Sequence, residues 1–155
     1  IPNKKDKHTA MHLIAIVTNV VKNFDNLMNI FEIIIGFVEL KGDLKAVNNY
    51  GKSPLCYIRN MLNIRDSNGN TLLMHAINCK KIRIAQALIT YGCDINAQNN
   101  EKNTALHYAV IQAHNDFNNI DIFHLMTYMM KCGAVESSNI YGAEPFSLLS
   151  KLLLK

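Results

Sequence analysis

Thr71-Leu-Leu-Met-His-Ala76 and Thr104-Ala-Leu-His-Tyr-Ala109 are one hexad written twice, thirty-three residues apart. A chain that echoes itself at a fixed period of roughly 20 to 50 residues builds one supersecondary unit several times over. It stacks the copies because no copy buries its apolar face alone. A thirty-three-residue period belongs to a unit made of a β-turn and two short helices. This one spacing excludes a sheet-based fold and directs the rest of the reading.

The stretch from Asp66 to Asn96 holds a complete unit. In Asp66-x-x-Gly69-x-Thr71, Gly69 supplies the left-handed position of a turn and Asp66 can accept backbone amides two residues on. Thr71 is placed to cap a helix with its hydroxyl. Leu72, Leu73 and Ala76 face packed neighbours. Ile82, Ile84, Ala85, Ala87, Leu88 and Ile89 recur at helical spacing, and Gly92 ends that second helix.

These parts resemble the ankyrin repeat. That family's pattern is a turn with Gly, then T-P-L-H-x-A, then a second helix closed by Gly-Ala-Asp-hydrophobic-Asn. Here the parts are Gly69, Thr71–Ala76, Ile82–Tyr91 and Gly92-Cys-Asp-Ile-Asn96, and Thr71 to Gly92 spans the family's own 21 positions. The resemblance implies an all-α, ankyrin-repeat α-solenoid with short β-turn loops. It has four to five repeats, the terminal ones degenerate, in a single domain over residues 1–155. The units fall at about 4–47, 48–65, 66–98, 99–138 and 139–155.

The outer units depart from the pattern. Thr104 lies 29 positions before its closing Gly133, eight more than the family spacing. The polar stretch Ala113–Ile120 is expected to hold the excess as a loop, with His114 in it. Lys102 stands where the turn wants Gly, so it takes a positive φ or the turn differs. The N-terminal hexad Thr9-Ala-Met-His-Leu-Ile14 closes at Gly42, with about twelve extra residues expected around Asn19–Asn29. The second helix of that unit is expected over Ile30–Leu40. Ser53-Pro54-Leu55 opens a unit only 18 residues before Thr71. Either that unit lost its second helix, or a stretch near Arg59–Met61 is missing; the second is favoured, since one helix leaves its neighbours' apolar faces uncovered. In the last unit Glu144-Pro-Phe fills the T-P-L slots and Ser147 replaces His.

Net charge is +4, but the basic clusters lack the interleaved aromatics of a nucleic-acid reader, and no nucleic acid is expected. Met11–Val21 and Ile30–Leu40 are too short to span a membrane and read as buried helices. Cys56, Cys79, Cys93 and Cys132 match no zinc spacing and read as small buried thiols in a reducing compartment. The many asparagines, with doublets at 48–49, 99–100 and 118–119, read as composition bias. No metal, cofactor or catalytic motif is expected. Cys79 with His75 one helical turn away has no pocket to activate a thiolate. By the resemblance, His12 and His107 bridge backbone groups of neighbouring turns, while His124 belongs at the core edge.

The resemblance implies a non-enzymatic protein-interaction module, monomeric or part of a larger chain, that binds a protein or peptide on its concave face. Turn tips and first helices line that face. Its candidate contacts are Ser67, Asn68, Asn70, His75, Asn78, Asn100, Glu101, Asn103, Tyr108 and Gln112, extended by Tyr50, Lys52, Tyr57, Tyr141 and Ala143. The irregular repeats resemble ankyrin proteins of intracellular bacteria or large DNA viruses. That style implies an intracellular setting and, for a pathogen, a host partner. The alternative is a substrate-recruiting segment of a larger enzyme or effector.

Overall fold

The computed structural model describes His12, residues 23–39 and residues 43–153. The chain forms two compact units, Ile1–Ile64 and Arg65–Lys155. Among the described residues there are seven helices and no strand beyond one isolated bridge between Arg65 and Thr71.

The first unit contains α1 (Phe24–Glu39) and α2 (Pro54–Met61). One stripe of α1 is buried: Phe24, Leu27, Met28, Phe31 and Ile34 recur at three- and four-residue steps. Ile33 and Val38 stand exposed on the other side, so this apolar run is amphipathic rather than wholly buried. The helix also begins six residues before the expected Ile30, so residues 24–29 are helical. Asn23 caps it by accepting the amide of Asp25 at 2.8 Å. The remainder of the expected N-terminal insertion, the hexad apart from His12, and Gly42 lie outside the described residues. Pro54 opens α2 at a first-turn position where its missing amide leaves no bond unmade. The chain runs through Arg59 inside this helix without a break, and the turn at Asp66 follows directly. Over residues 48–64 the structure shows this single helix.

The second unit contains two helical hairpins and a final helix. They are α3 (Leu72–Asn78) with α4 (Ile82–Thr90), α5 (Ala105–Asn115) with α6 (Ile120–Lys131), and α7 (Pro145–Leu153). First helices pack on first helices, α3 on α5 and α5 on α7, while α4 packs on α6. This nearest-neighbour stacking is the geometry of a solenoid. Its core runs through Leu72, Leu73, Ile77, Ile84, Leu88, Leu106, Val110, Leu125 and Met129, all buried.

The eight extra residues of the second hairpin do not form the expected loop. The first helix has 11 residues against 7, the second 12 against 9, and the link four against three. Ala113 and His114 are thus helical, and only residues 116–119 connect. Extending two helices keeps the added backbone amides paired, which a long loop cannot do. His124 is exposed, not at the core edge. The thiols also differ from expectation: Cys56, Cys79 and Cys132 are exposed, and only Cys93 is half-buried. Burial, with Asp94 beside it, pushes the Cys93 thiol up to about 12.

Three helices end alike. Lys80, Gly92 and Gly133 have φ of 56°, 86° and 93°. The following amides of Lys81, Cys93 and Ala134 reach back to the carbonyls of Ala76, Leu88 and Met129 at 2.8 to 3.1 Å. These are Schellman closures, which need a left-handed residue.

Candidate functional site

One turn is built four times. Its first residue is Asn48, Asp66, Asn99 or Asn139, and its side-chain oxygen accepts the backbone amides two and four residues on. The pairs are Tyr50 and Lys52, Asn68 and Asn70, Glu101 and Asn103, and Tyr141 and Ala143, all at 2.8 to 3.0 Å. An acceptor on a short side chain is what this position requires, which Asn and Asp supply. These three asparagines therefore have structural work, and composition bias does not account for them.

The slot three residues into each first helix secures the turn to the helix. His107 Nδ1 accepts the Thr104 amide at 3.1 Å, Met74 Sδ accepts the Thr71 amide at 3.4 Å, and Ser147 Oγ accepts the Glu144 amide at 3.2 Å. Since Nδ1 of His107 accepts, Nε2 carries the proton and donates to the Ala143 carbonyl at 3.0 Å. His12, in the first unit, places Nε2 2.9 Å from the Lys52 carbonyl. His107 thus bridges its own cap to the next turn, the structural role expected of it.

Neighbouring turns in the second unit are laced together. The Asn100 amide donates to the Asn68 carbonyl at 3.0 Å, and the Ile140 amide to the Glu101 carbonyl at 3.0 Å. Asn100 Nδ2 donates to the Ser67 carbonyl and Asn139 Nδ2 to Asn103 Oδ1. Arg65 donates its guanidinium to the carbonyls of Gly69 and Gln98. Gly69, at φ +76°, lies so close to the next turn that a Cβ there would stand 2.5 Å from Asn100 Oδ1. Lys102 takes the equivalent position at φ 58°, so the turn is the same and carries the strain of a side chain at positive φ, about 1 kcal/mol.

Between these turns and the helices behind them lies a cleft of about 300 Å³, lined by Asn68, Asn70, Asn99, Asn100, Glu101 and Tyr108. A smaller one of about 80 Å³ shares Asn70 and Tyr108 and adds Met74, His75 and Asn78. Tyr108 joins the two. Its hydroxyl donates to Asn70 Oδ1 at 2.8 Å and accepts from Asn99 Nδ2 at 3.1 Å. Burial raises the Tyr108 phenol above its usual pKa. The Asn99 hydrogen bond opposes that rise, and the charges of Glu101 and Asp66 add to it.

Seven of the expected contacts, Asn68, Asn70, His75, Asn78, Asn100, Glu101 and Tyr108, thus line these two adjoining clefts, which together form a groove. Ser67 lies on the rim, exposed, and Asn103 is half-buried with its amide on Glu101. Gln112 is buried and donates to Asn78 at 3.3 Å. Tyr141 is exposed and Ala143 half-buried in the last turn. Tyr50, Lys52 and Tyr57 belong to the first unit, Tyr50 and Lys52 exposed and Tyr57 half-buried. The sequence reading missed Asn99 and Met74. Asn99 could have been found, because it stands at the turn position that Asp66 holds one unit earlier.

The family model for ankyrin repeats in many copies matches residues 60–117, which take in two turns, α3, α4 and α5. Residues 60–117 are ankyrin repeats. No curated protein matches the chain. Ankyrin repeats are generally protein–protein interaction modules, and the fold is non-catalytic. Among the described residues, no group of three or more His, Cys, Asp or Glu could hold a metal ion. No described helix is long and apolar enough to cross a membrane.

Proposed function

We propose that the groove formed by turn tips and first helices in the second unit is the partner-binding face, and that it holds a protein or peptide without chemical turnover. The observation that carries this is the pair of adjoining clefts that share Asn70 and Tyr108. The groove is polar, walled by rigid turns, and spans two successive repeats through Tyr108. The turns are fixed by their own hydrogen bonds, so a partner meets a preorganised surface and ordering costs are small. Tyr108 presents an aromatic body with a polar tip, the chemistry favoured at interface anchors. The setting we propose is a reducing, intracellular one, where the exposed thiols of Cys56, Cys79 and Cys132 persist. A host-directed role belongs to the same proposal and rests on the style of the repeats.

The test is affinity purification with the intact chain and with an Asn68→Ala/His75→Ala/Asn78→Ala variant. Asn68 and Asn78 are exposed and His75 is half-buried, so the fold should survive these changes. Captured proteins that disappear with the triple variant support the groove; undiminished capture would place the interface elsewhere.

A further inference from the structure

The groove's side-chain hydrogen bonds leave capacity of both kinds. Asn70 Nδ2 goes to Asp66, Asn99 Nδ2 to Asn70 and Tyr108, the Tyr108 hydroxyl to Asn70, Asn100 Nδ2 to Ser67 and Asn103 Nδ2 to Glu101. The Asn70, Asn100 and Asn103 amide nitrogens each carry a second hydrogen, and acceptor capacity stands beside them. An ionised carboxylate offers about four lone-pair sites, and Glu101 is exposed with a single donor on it, from Asn103. Asn100 Oδ1, projecting across Gly69, has no protein donor among the described residues. Among the described residues the Asn68 side-chain amide has no protein partner, as donor or as acceptor. The guanidinium of Arg65, in the same turn region, is held by two carbonyls.

The charge at the cleft is negative, which favours a cationic donor over a neutral one. Glu101 lines the cleft, and Asp66 lies beneath Asn70. Both carboxylates act on the Tyr108 hydroxyl at the cleft wall. Lys102 is the neighbouring cation in the turn but does not line the cleft. Beside these acceptors stands the half-exposed ring of Tyr108, a face on which a flat cation stacks.

We propose that the cleft between Asn68 and Tyr108 receives an arginine side chain of the partner, its guanidinium bonded to Glu101 and Asn100 and stacked on Tyr108. A guanidinium supplies five donors in a planar fork, which matches a carboxylate and an amide oxygen presented together beside an aromatic ring. The inference rests on the reading of this groove as the partner-binding face.

Random twelve-residue peptides displayed on phage and selected on the full chain test it. Each selected peptide is synthesised with arginine and with citrulline, its uncharged isostere, and titrated against the native protein, Glu101→Gln and Asn68→Ala/His75→Ala. The expected result is a set of peptides that lose binding to the Asn68→Ala/His75→Ala variant and fall about tenfold or more in affinity on citrulline replacement, the scale of one charge-assisted contact. Glu101→Gln should cost a similar factor, and the two changes together little more than either alone. Peptides that depend on Asn68 and His75 but ignore citrulline and Glu101→Gln overturn the arginine and leave the groove as a binding face. Peptides indifferent to every change overturn both.

Discussion

The hairpin of α3 and α4 and the hairpin of α5 and α6 share a turn, a cap and a closing Schellman motif, yet differ in length by eight residues. What must match between stacked repeats is the turn ladder and the buried stripe of each helix. Helix length is a free variable, since added turns satisfy their own backbone bonds. The two hairpins also solve the same positions with different chemistry. Gly69 faces Lys102 across one period, Met74 faces His107, Cys93 faces Ala134, and Asn96 faces Ser137. Asn96 reaches the next repeat, donating to the Gly133 carbonyl and accepting the Val135 amide. Ser137 is shorter, and its buried hydroxyl has no partner among the described residues.

The largest expected break in this comparison comes at Gly69. Gly69→Ala combines a left-handed φ with a Cβ driven against Asn100, and should cost about 3 kcal/mol in chemical denaturation. Gly142→Ala, with φ +69° and nothing within 4 Å, should cost only about 1 kcal/mol. Equal losses at the two sites would mean that turn-to-turn proximity contributes nothing.

Next in size is His107→Met, which imports the chemistry of the neighbouring repeat. A thioether can still accept the cap amide, as Met74 does, but it cannot donate to the Ala143 carbonyl. A loss of about 2 kcal/mol is expected, the scale of a buried acceptor left unpaired. A neutral result would show that the imidazole is needed only for its own turn.

Cys93 and Ala134 allow a pH test. Folding raises the Cys93 thiol from 9.0 to about 12, so the folded state resists losing that proton. Its contribution to stability is complete below about pH 9 and is lost as pH climbs toward 12. Cys93→Ala should be within about 1 kcal/mol of native at pH 7 and show a shallower decline of stability above pH 9, measured by denaturant titration across that range. An unchanged alkaline slope would remove Cys93 as its source.

The smallest effect is a gain. Lys102→Gly relieves a side chain at φ 58° but loosens the unfolded chain, for a net stabilisation of about 0.5 kcal/mol. A loss instead would show that the Lys102 side chain contributes more than its strain removes.

The thirty-three-residue echo determined the fold by itself. Turn, cap and closing glycine are local devices whose residues are dictated by backbone geometry within a few positions, so Asp66, Gly69, Thr71 and Gly92 could be read directly. The same locality made His107 legible as a bridge, because its slot in the hexad is fixed. Tertiary structure decided everything that depends on length or on pairing across repeats. Whether the residues after Ala113 make a loop or two longer helices turns on which choice leaves fewer amides unpaired, and that is settled by stacking. Cys56, Cys79 and Cys132 are exposed, which residue type does not report. The groove is of the same kind. Asn68, Asn70 and Tyr108 could be nominated one by one, but the hydrogen bonds that join Asn70 to Asn99 and Tyr108, and the meeting of Glu101, Asn100 and Tyr108 in one cleft, arise only when two turns thirty-three residues apart are laid side by side.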